Sequence, residues 1–462
     1  MLFNSFEFIF VFLPIVFIGY FLVNKIHHTA GIVLLLLSSL FFYAWWNPAY
    51  LLLLIVSILV NYGVGTWMMR TEAMKKQILI LGIIFNVLLL GYFKYTDFFI
   101  ANFNHVLNTN FQLLHLLLPL AISFYTFQQI AYLVDRYKGK VEDNNFLNYA
   151  LFISFFPQLI AGPIVHHKEV MGQYLDAAKK KMHAENIAKG LFIFSIGLFK
   201  KVAIADTFAV WANEGYSNVQ ALTTSEAWVT SLAYTFQLYF DFSGYSDMAI
   251  GLALLFNIVL PLNFNSPYRA VSIQDFWRRW HMTLSRFLTD YLYIPLGGSY
   301  KSIPRTYVNI FIIFFVSGIW HGAGWTFVIW GVLHGLAMIV HRFWHQKGFK
   351  LPAIVGWIIT FQFVNATWVF FRALTVDDAL IVLGKMAAIQ DLVQPLETFS
   401  ATSLELILYF VGAGIIAFFF KNSYDWMQGL RPNPMYAIAA GAMFLYVALK
   451  LQQVSEFLYF NF

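Results

Sequence analysis

The sequence predicts an all-α polytopic membrane protein with about 11 to 14 transmembrane or re-entrant helices. Only 11% of its 462 residues are charged, whereas soluble globular chains carry about 25%. Hydrophobic residues make up 60% of the chain, and apolar runs of roughly 15 to 25 residues, long enough to cross the hydrocarbon layer, recur along it. A water-soluble surface of this size cannot be so poor in charge, so soluble, disordered and disulfide-stapled secreted classes are excluded.

The apolar runs define the predicted elements in order. The first, 6–23, has no basic flank before it and no small-residue cleavage site after it, so we interpret it as a retained span. Pro157, Gly162 and Pro163 interrupt the segment 146–165, which fits a re-entrant stretch. The other candidate segments are 30–46, 49–68, 77–93, 112–134, 188–211, 227–243, 245–262, 307–320, 323–343, 353–371, 404–420 and 435–450.

The absence of cysteine and the net charge exclude several kinds of catalytic site and binding partner. The chain has no cysteine, which excludes a thiol nucleophile, an acyl-cysteine intermediate, a zinc-thiolate site and an iron–sulfur cluster. Any catalysis must therefore use His, Asp, Glu, Ser or Tyr. The net charge of +6 is typical of basic cytoplasmic loops in a membrane protein, so we expect contact with membrane lipids and no nucleic-acid binding.

The charged residues sort onto two sides of the membrane. We assign the basic side to the cytoplasm: Lys25, Arg70, Lys75, Lys76, Arg136, Lys138, Lys140, Lys179 to Lys181, Lys301, Arg305, Arg342, Lys347, Lys421 and Arg431. The acidic side carries Glu214, Glu226, Asp377, Asp378, Asp391, Glu397 and Glu456. Both termini are then expected outside the cytoplasm.

A long polar interruption runs from Asn263 to Arg305. Ser272 and Asp275 have the spacing of a capping box, which predicts a helix that starts near Ile273 and lies at the membrane interface. One face of this helix is aromatic and aliphatic: Trp277, Trp280, Leu284, Phe287, Leu288 and Tyr291. The opposite face carries Arg278, Arg279 and Arg286, and His281 lies beside the apolar stripe, in position to point along the surface into a crevice. The alternative is a snorkelling basic helix in which His281 has no chemical role.

His321 lies between two apolar runs, deep in the predicted hydrocarbon. An ionisable side chain there is costly, which makes His321 the first functional candidate. Gly318, Gly322 and Gly324 leave room for a substrate or another helix to approach the backbone. The alternative is glycine-mediated helix packing with His321 hydrogen-bonded across the interface. His334 and His341, on the next helix, are interpreted as packing or interface residues.

A dense polar run separates two apolar segments at 237–247. It contains the candidate residues Gln237, Tyr239, Asp241, Tyr245 and Asp247, whose side chains cannot stay unpaired at depth. They either line a polar route or hold the arginine face of the 273–290 helix, or they form a turn with buried hydrogen bonds.

Two other sets of polar residues are assigned no catalytic or binding role. His166 and His167 lack the further histidine and carboxylate partners of a metal site, so we expect no metal. Lys179 to Lys181 are expected to be a solvated determinant of topology.

Five short motifs in this order resemble the membrane-bound O-acyltransferase family, in its bacterial branch of alginate and peptidoglycan O-acetylation. They are FFPQLIAGP at 155–163, QLYFDFSGYSD at 237–247, DFWRRWH at 275–281, YLYIPLGG at 291–298 and WHGAGW at 320–325. The resemblance implies tilted helices around a central tunnel and one membrane domain over 1–462, with N-terminal helices at 1–145, a catalytic core at 146–345 and C-terminal helices at 346–462.

The resemblance also implies residue roles. The catalytic histidine of the family maps to His321 and its second active-site position to His281. The implied donor is acetyl-CoA, a substrate rather than a permanently bound cofactor. The implied acceptor is a hydroxyl of an envelope polysaccharide, reached through a separate extracytoplasmic O-acetyltransferase, and the location is the bacterial inner membrane. Trp280, Trp320 and the polar residues of 237–247 are then expected to contact substrate.

Acyl transfer from a thioester to a hydroxyl needs a base for the hydroxyl proton and donors for the oxyanion. With no cysteine present, His321 is the best base available, and His281 is expected to orient the thioester or donate to the oxyanion. Arg278 and Arg279 are expected to meet the phosphates of coenzyme A, because a guanidinium fork suits phosphate.

Two other functions remain open from the sequence. Broken helices also fit a transporter or flippase for a lipid-linked sugar, although no pseudo-repeat is visible. Within the enzyme class, D-alanyl transfer to teichoic acid is the nearest alternative. We favour peptidoglycan as the acceptor because no large extracytoplasmic domain is apparent, with alginate or another exopolysaccharide next.

Overall fold

The computed structural model describes residues 1–141, 143–388, 396–431, 433–451 and 457–458. Regular secondary structure in these residues is helical, and no strand occurs among them, which confirms the all-α prediction. Asp391 and Glu456, both used to assign the acidic side, lie outside the described residues.

The α-helices follow one another with short connections. In chain order they are α1 (Leu13–Ile26), α2 (His28–Ala44), α3 (Pro48–Arg70), α4 (Lys75–Leu107), α5 (Ile122–Tyr137), α6 (Phe146–Ser154), α7 (Phe156–Leu159), α8 (His167–Leu175), α9 (Ala184–Phe199), α10 (Asp206–Ser217), α11 (Thr224–Leu255), α12 (Ile273–Trp277), α13 (Met282–Leu288), α14 (Ile303–His321), α15 (Trp325–Gln346), α16 (Ala353–Arg372), α17 (Val376–Ala387), α18 (Ser403–Phe419), α19 (Ser423–Gly429) and α20 (Pro434–Ala448). Stretches of π-helix cover Glu7–Phe12, Lys200–Ala205 and Thr289–Tyr293, and 3₁₀ turns cover Glu72–Met74, Ala177–Lys180 and Pro267–Arg269.

The helices belong to two compact units. Unit 1 comprises Met1–Leu198, Tyr245–Pro261 and Leu430–Phe462, and unit 2 comprises Phe199–Gly244 and Leu262–Gly429, within the described residues. The predicted division of the chain at 145 and 345 stays a prediction.

Six helical stretches in the described residues are long and apolar enough to cross a membrane: Glu7–Ile26, Pro48–Arg70, Glu72–Leu107, Ile303–His321, Trp325–Gln346 and Ala353–Arg372. The helices α18 and α19, bent by 53°, make a seventh if they form one span. The helices α2 and α20 are apolar but shorter. These helices confirm a multi-pass membrane protein, and the number of further crossings stays a prediction.

Polar residues start the helices that matter for the site. The Ser272 hydroxyl accepts a hydrogen bond from the backbone N–H of Asp275 over 3.1 Å, so α12 begins at Ile273 as the capping pattern predicts. The Ser302 hydroxyl caps α14 in the same way, by accepting from the N–H of Arg305. The first cap fixes the entry of the helix that leads into the candidate residues 278–281, and the second fixes the entry of the helix that ends at His321.

The structure corrects the expectation of two segments, 227–243 and 245–262, with a polar interruption between them. The helix α11 runs unbroken from Thr224 to Leu255 and contains the whole polar run. Its polar side chains find partners without a turn: the Ser231 and Thr235 hydroxyls both donate to Asn365 Oδ1. Asp241 pairs with Lys201.

The continuous helix predicted over 273–290 is also wrong. The helix α12 ends at Trp277, and α13 starts at Met282 after a break. His281 lies in that break with φ of 44°, in the left-handed region that ends a regular helix. Its side chain is fully buried, so the expectation that it points along the surface is wrong as well.

Candidate active site

The helices α14 and α15 of unit 2 form a tight hairpin with a short turn at 322–324. A Cβ atom on Gly318 would lie 2.5 Å from the carbonyl oxygen of Phe327 and 3.0 Å from the Cα atom of Gly331. Only glycine permits this approach, so Gly318 serves the contact between helices. The hairpin fixes the position of His321 at the end of α14.

His321 is enclosed by aromatic rings. Its side chain is 2% exposed, and its ring centroid lies 4.9 Å from that of Trp320, 5.0 Å from that of Trp330 and 5.1 Å from that of Phe371. We call Trp320, Trp330 and Phe371 the aromatic cage. The cage keeps the imidazole in a dry environment, where electrostatic and proton-transfer interactions are stronger than in water.

His281 reaches the same cage from a different part of the chain. Its ring centroid lies 6.3 Å from that of Trp320, and Phe242 of α11 contacts its other side at 4.8 Å. Trp320 therefore contacts both candidate histidines, and the structure brings together two residues forty positions apart in the sequence. The unusual backbone of His281 is of the kind found at functional sites.

Asn263 fixes the proton on His281. Asn263 Oδ1 lies 3.0 Å from His281 Nδ1 and also accepts from the backbone N–H and the hydroxyl of Thr283. Because a backbone N–H can only donate, this Asn263 atom is the carbonyl oxygen, and His281 Nδ1 must be the donor. The other nitrogen, Nε2, then carries a lone pair.

Burial keeps His281 neutral. Loss of solvent lowers the pKa of His281 to about 3, because the charged imidazolium is disfavoured in a dry site. At neutral pH, Nε2 is therefore an acceptor of hydrogen bonds. This arrangement fits a role in orienting a hydroxyl group and does not fit donation to an oxyanion.

The predicted substrate residues fall into different surroundings. Tyr239 and Trp280 are buried together, with ring centroids 6.4 Å apart, and Trp280 also packs on Trp368 at 5.0 Å. Gln237 is buried on α11. Tyr245 and Asp247 belong to unit 1, where Tyr245 packs between Phe3 and Phe457.

The two arginines predicted to bind phosphate differ in their exposure and in their hydrogen-bond partners. Arg279 is held within its own segment, because its Nε lies 2.8 Å from Asp275 Oδ1 and it also donates to the carbonyl of Asn265. Arg278 is exposed and lies close enough to His341 for their charges to interact. Arg278 is thus the better candidate for contact with a ligand.

The other histidines lie in different surroundings. His334 is buried between α12 and α16, with Nδ1 accepting from the indole N–H of Trp277 and Nε2 3.0 Å from the hydroxyl of Thr367. His334 is therefore a packing residue. His166 lies 3.7 Å from Asp135, and within the described ranges no three His, Asp or Glu side chains form a group able to hold a metal ion.

The sequence interpretation missed two residues. Asn263 marks only the start of the polar interruption, and nothing in its pattern indicates that it sets the tautomer of His281. Lys201 had a signal, because a lysine inside the apolar segment 188–211 is costly unless it is paired. Its Nζ lies 2.7 Å from both Asp206 Oδ1 and Asp241 Oδ1.

The fold and the site are those of a polytopic membrane acyltransferase with a buried histidine. Residues 41–374 match the model of the membrane-bound O-acyltransferase family, and the chain belongs to this family. The chain is 46% identical to a peptidoglycan O-acetyltransferase of Helicobacter pylori, over 100% of this chain and 98% of that protein.

Two further relatives match part of the chain. A probable alginate O-acetylase of Pseudomonas aeruginosa is 42% identical over 81% of this chain and 72% of its own length. A teichoic acid D-alanyltransferase of Bacillus subtilis is 29% identical over 53% of this chain and 66% of its own length. The family and these relatives identify the chain as a membrane-bound O-acyltransferase enzyme.

Proposed function

We propose that the protein transfers an acetyl group from cytoplasmic acetyl-CoA across the membrane to a hydroxyl acceptor, for O-acetylation of an envelope polysaccharide, with peptidoglycan favoured and alginate next. The observation that carries this proposal is the pair of buried histidines that share the ring of Trp320. The similarity over the full chain to a protein named peptidoglycan O-acetyltransferase supports the choice of acceptor.

His321 acts as the general base in this proposal. It takes the proton from the attacking hydroxyl as the new C–O bond forms at the thioester carbonyl. When the C–S bond breaks, the proton passes from His321 to the departing sulfur, so coenzyme A leaves as the thiol. The aromatic cage excludes water that would hydrolyse the thioester.

His281 positions the acceptor. With Nδ1–H bound to Asn263, its Nε2 accepts a hydrogen bond from a hydroxyl group and aligns that group for attack. Trp280, Trp320 and the buried polar residues of α11 in unit 2 shape the space around the reacting groups. No permanently bound cofactor or metal is needed for this chemistry.

The route to the polysaccharide completes the proposal. The protein lies in the bacterial inner membrane, takes the donor on the basic, cytoplasmic side and delivers the acetyl group on the other. A separate extracytoplasmic O-acetyltransferase then receives the group and passes it to the glycan.

Transfer is tested with purified protein, radiolabelled acetyl-CoA and peptidoglycan fragments, with and without the partner transferase. His321→Ala is expected to lower the rate by about 10²- to 10⁴-fold, the usual contribution of a general base. His334→Gln is the matched control, since it changes another buried histidine of unit 2 and should retain activity. Loss of activity in both variants at equal thermal stability, or wild-type protein that uses no acyl thioester with its partner present, would contradict the proposal.

The donor is tested by competition. D-alanyl transfer is the main alternative within the enzyme class, supported by the 29% identity to a teichoic acid D-alanyltransferase over about half of the chain. An excess of D-alanyl carrier protein should leave acetyl transfer unchanged if acetyl-CoA is the donor. Displacement of acetyl-CoA by the carrier would favour the alternative.

A further inference from the structure

A basic pocket lies between α12, α14 and α15 in unit 2. Its volume is about 250 Å³, and its polar lining comes from Gln274, His341, Arg342, His345 and Gln346. We call this the basic pocket. None of these side chains takes part in the proposed acyl transfer, so the pocket needs another explanation.

The pocket has positive charge without a counter-charge. Among the described residues, no carboxylate lies within ion-pair distance of Arg342, His341 or His345. The Nε of Arg342 is shielded from solvent and has no hydrogen-bond partner in the part of the chain that the structure describes. A buried guanidinium N–H without an acceptor is costly, so an anion is the expected occupant.

Arg278, in the segment that follows α12, adds positive charge near the basic pocket. It is exposed, and α12 is the helix whose Gln274 lines the pocket. The guanidinium of Arg342 and the two imidazoles that line a cavity of this size suit a phosphate, because a guanidinium fork binds two phosphate oxygens at once. The apolar side chains of Ile310 and Met338 complete the lining.

The basic pocket and His321 are both in contact with the helix α15, at different levels along it. Trp330 contacts His321, and His341 lies three turns further along the same helix, α15. The helical rise places these two levels about 16 Å apart. An extended pantetheine arm is about as long as this separation.

We propose that the basic pocket is a phosphate-binding site, which takes either a phosphate of a coenzyme A donor or the phosphodiester of an anionic lipid headgroup. The coenzyme A source rests on the proposed function, whereas the lipid source does not. In both cases Arg342 supplies the main contact, and Arg278 adds positive potential from the segment that follows α12.

The test measures binding to the full-length protein with three probes: coenzyme A, phosphatidylglycerol in phosphatidylcholine nanodiscs, and inorganic phosphate as a competitor. Arg342→Gln keeps the length of the side chain and removes the charge. We expect it to weaken binding of one phosphate probe by about tenfold or more, the usual effect of losing a charge-assisted hydrogen bond. Arg278→Gln, which changes an exposed residue, should weaken the same probe to a smaller extent.

Lys347→Gln is the matched control, because Lys347 lies at the end of the same helix, lies over the ring of Phe343 and does not line the pocket. Its binding should stay within about twofold of the wild type. Weaker binding of coenzyme A identifies the nucleotide source, and weaker binding of phosphatidylglycerol identifies the lipid source.

Two results keep this inference separate from the proposed function. If both arginine variants bind coenzyme A and phosphatidylglycerol as the wild type does, the phosphate site is wrong even if acetyl transfer occurs. If acetyl transfer fails but Arg342→Gln still loses phosphatidylglycerol, the phosphate site stands and the proposed function does not.

Discussion

A single hydrogen bond decides what His281 can do. His281 is neutral because it is buried, and its proton is on Nδ1 because Asn263 offers only an acceptor there. The same side chain of Asn263 accepts from Thr283, which holds the start of α13 against it. The chemistry of His281 therefore depends on Asn263, which lies eighteen residues earlier in the chain.

Asn263→Asp tests this dependence through pH. Burial depresses the pKa of His281, so the wild-type ring stays neutral and its Nε2 stays an acceptor down to about pH 3. A carboxylate on Nδ1–H stabilises the imidazolium and raises this pKa by about 1 to 3 units. Transfer by the variant should then fall as the pH drops through the raised value, which shows as a new acid limb in kcat between about pH 4 and 6.

Asn263→Ala is the control for this effect. It removes the acceptor without adding charge, so we expect a lower rate at every pH and no new acid limb, with a loss of about 1 to 3 kcal/mol in stability from the unsatisfied donors. If the pH profile of Asn263→Asp has the same shape as that of the wild type, Asn263 does not control the proton on His281.

Buried ion pairs hold neighbouring helices together. Lys201 lies in the π-helix that joins α9 to α10, and its ammonium is shared by Asp206 on α10 and Asp241 on α11. Lys201 and Asp241 are almost fully buried. Phe242, the residue after Asp241, contacts His281, so this ion cluster fixes the face of α11 that closes the site.

Lys201→Met is expected to destabilise the protein by about 3 to 5 kcal/mol, because it removes the cation from a buried pair and leaves the carboxylates behind. Thermal unfolding in detergent measures the loss. The double variant Lys201→Met, Asp241→Asn should lose less than the sum of the single variants, since the pair is removed together.

The matched comparison is Lys189→Ala on α9. Lys189 pairs with Glu185 one turn away, and Glu185 is exposed, so loss of this ion pair should leave the unfolding temperature unchanged. Equal effects at Lys189 and Lys201 would show that the buried cluster does not hold α11.

Across the whole molecule, the sequence predicts what depends on composition and local pattern. The charge deficit predicts a helical membrane protein, Ser272 predicts the start of α12, and the depth of His321 predicts its burial, all as observed. Trp277, Trp280 and Leu284 are also buried as the helical spacing predicts.

Long-range contacts account for the rest. The break at His281 depends on Asn263, eighteen residues earlier, and on Phe242 of α11, so no periodicity within 273–290 indicates it. The continuity of α11 depends on Asn365 and Lys201, which pair with its polar residues from distant segments. A polar run therefore looks like an interruption until its partners are known.

The sidedness of the membrane protein determines which pool of acyl donor it can use, because acyl-CoA is confined to the cytoplasm. The absence of native cysteine makes single-cysteine labelling a direct test. Asn218→Cys on the acidic side and Tyr300→Cys on the basic side both change exposed residues. We expect a membrane-impermeant maleimide to label Asn218→Cys in intact cells and Tyr300→Cys only after lysis, in accord with the distribution of basic residues.

Labelling of Tyr300→Cys in intact cells would place the basic pocket outside the cytoplasm, where coenzyme A is absent. It would thereby contradict both the proposed donor and the nucleotide source of the pocket's phosphate, while the lipid source would remain open to the binding test.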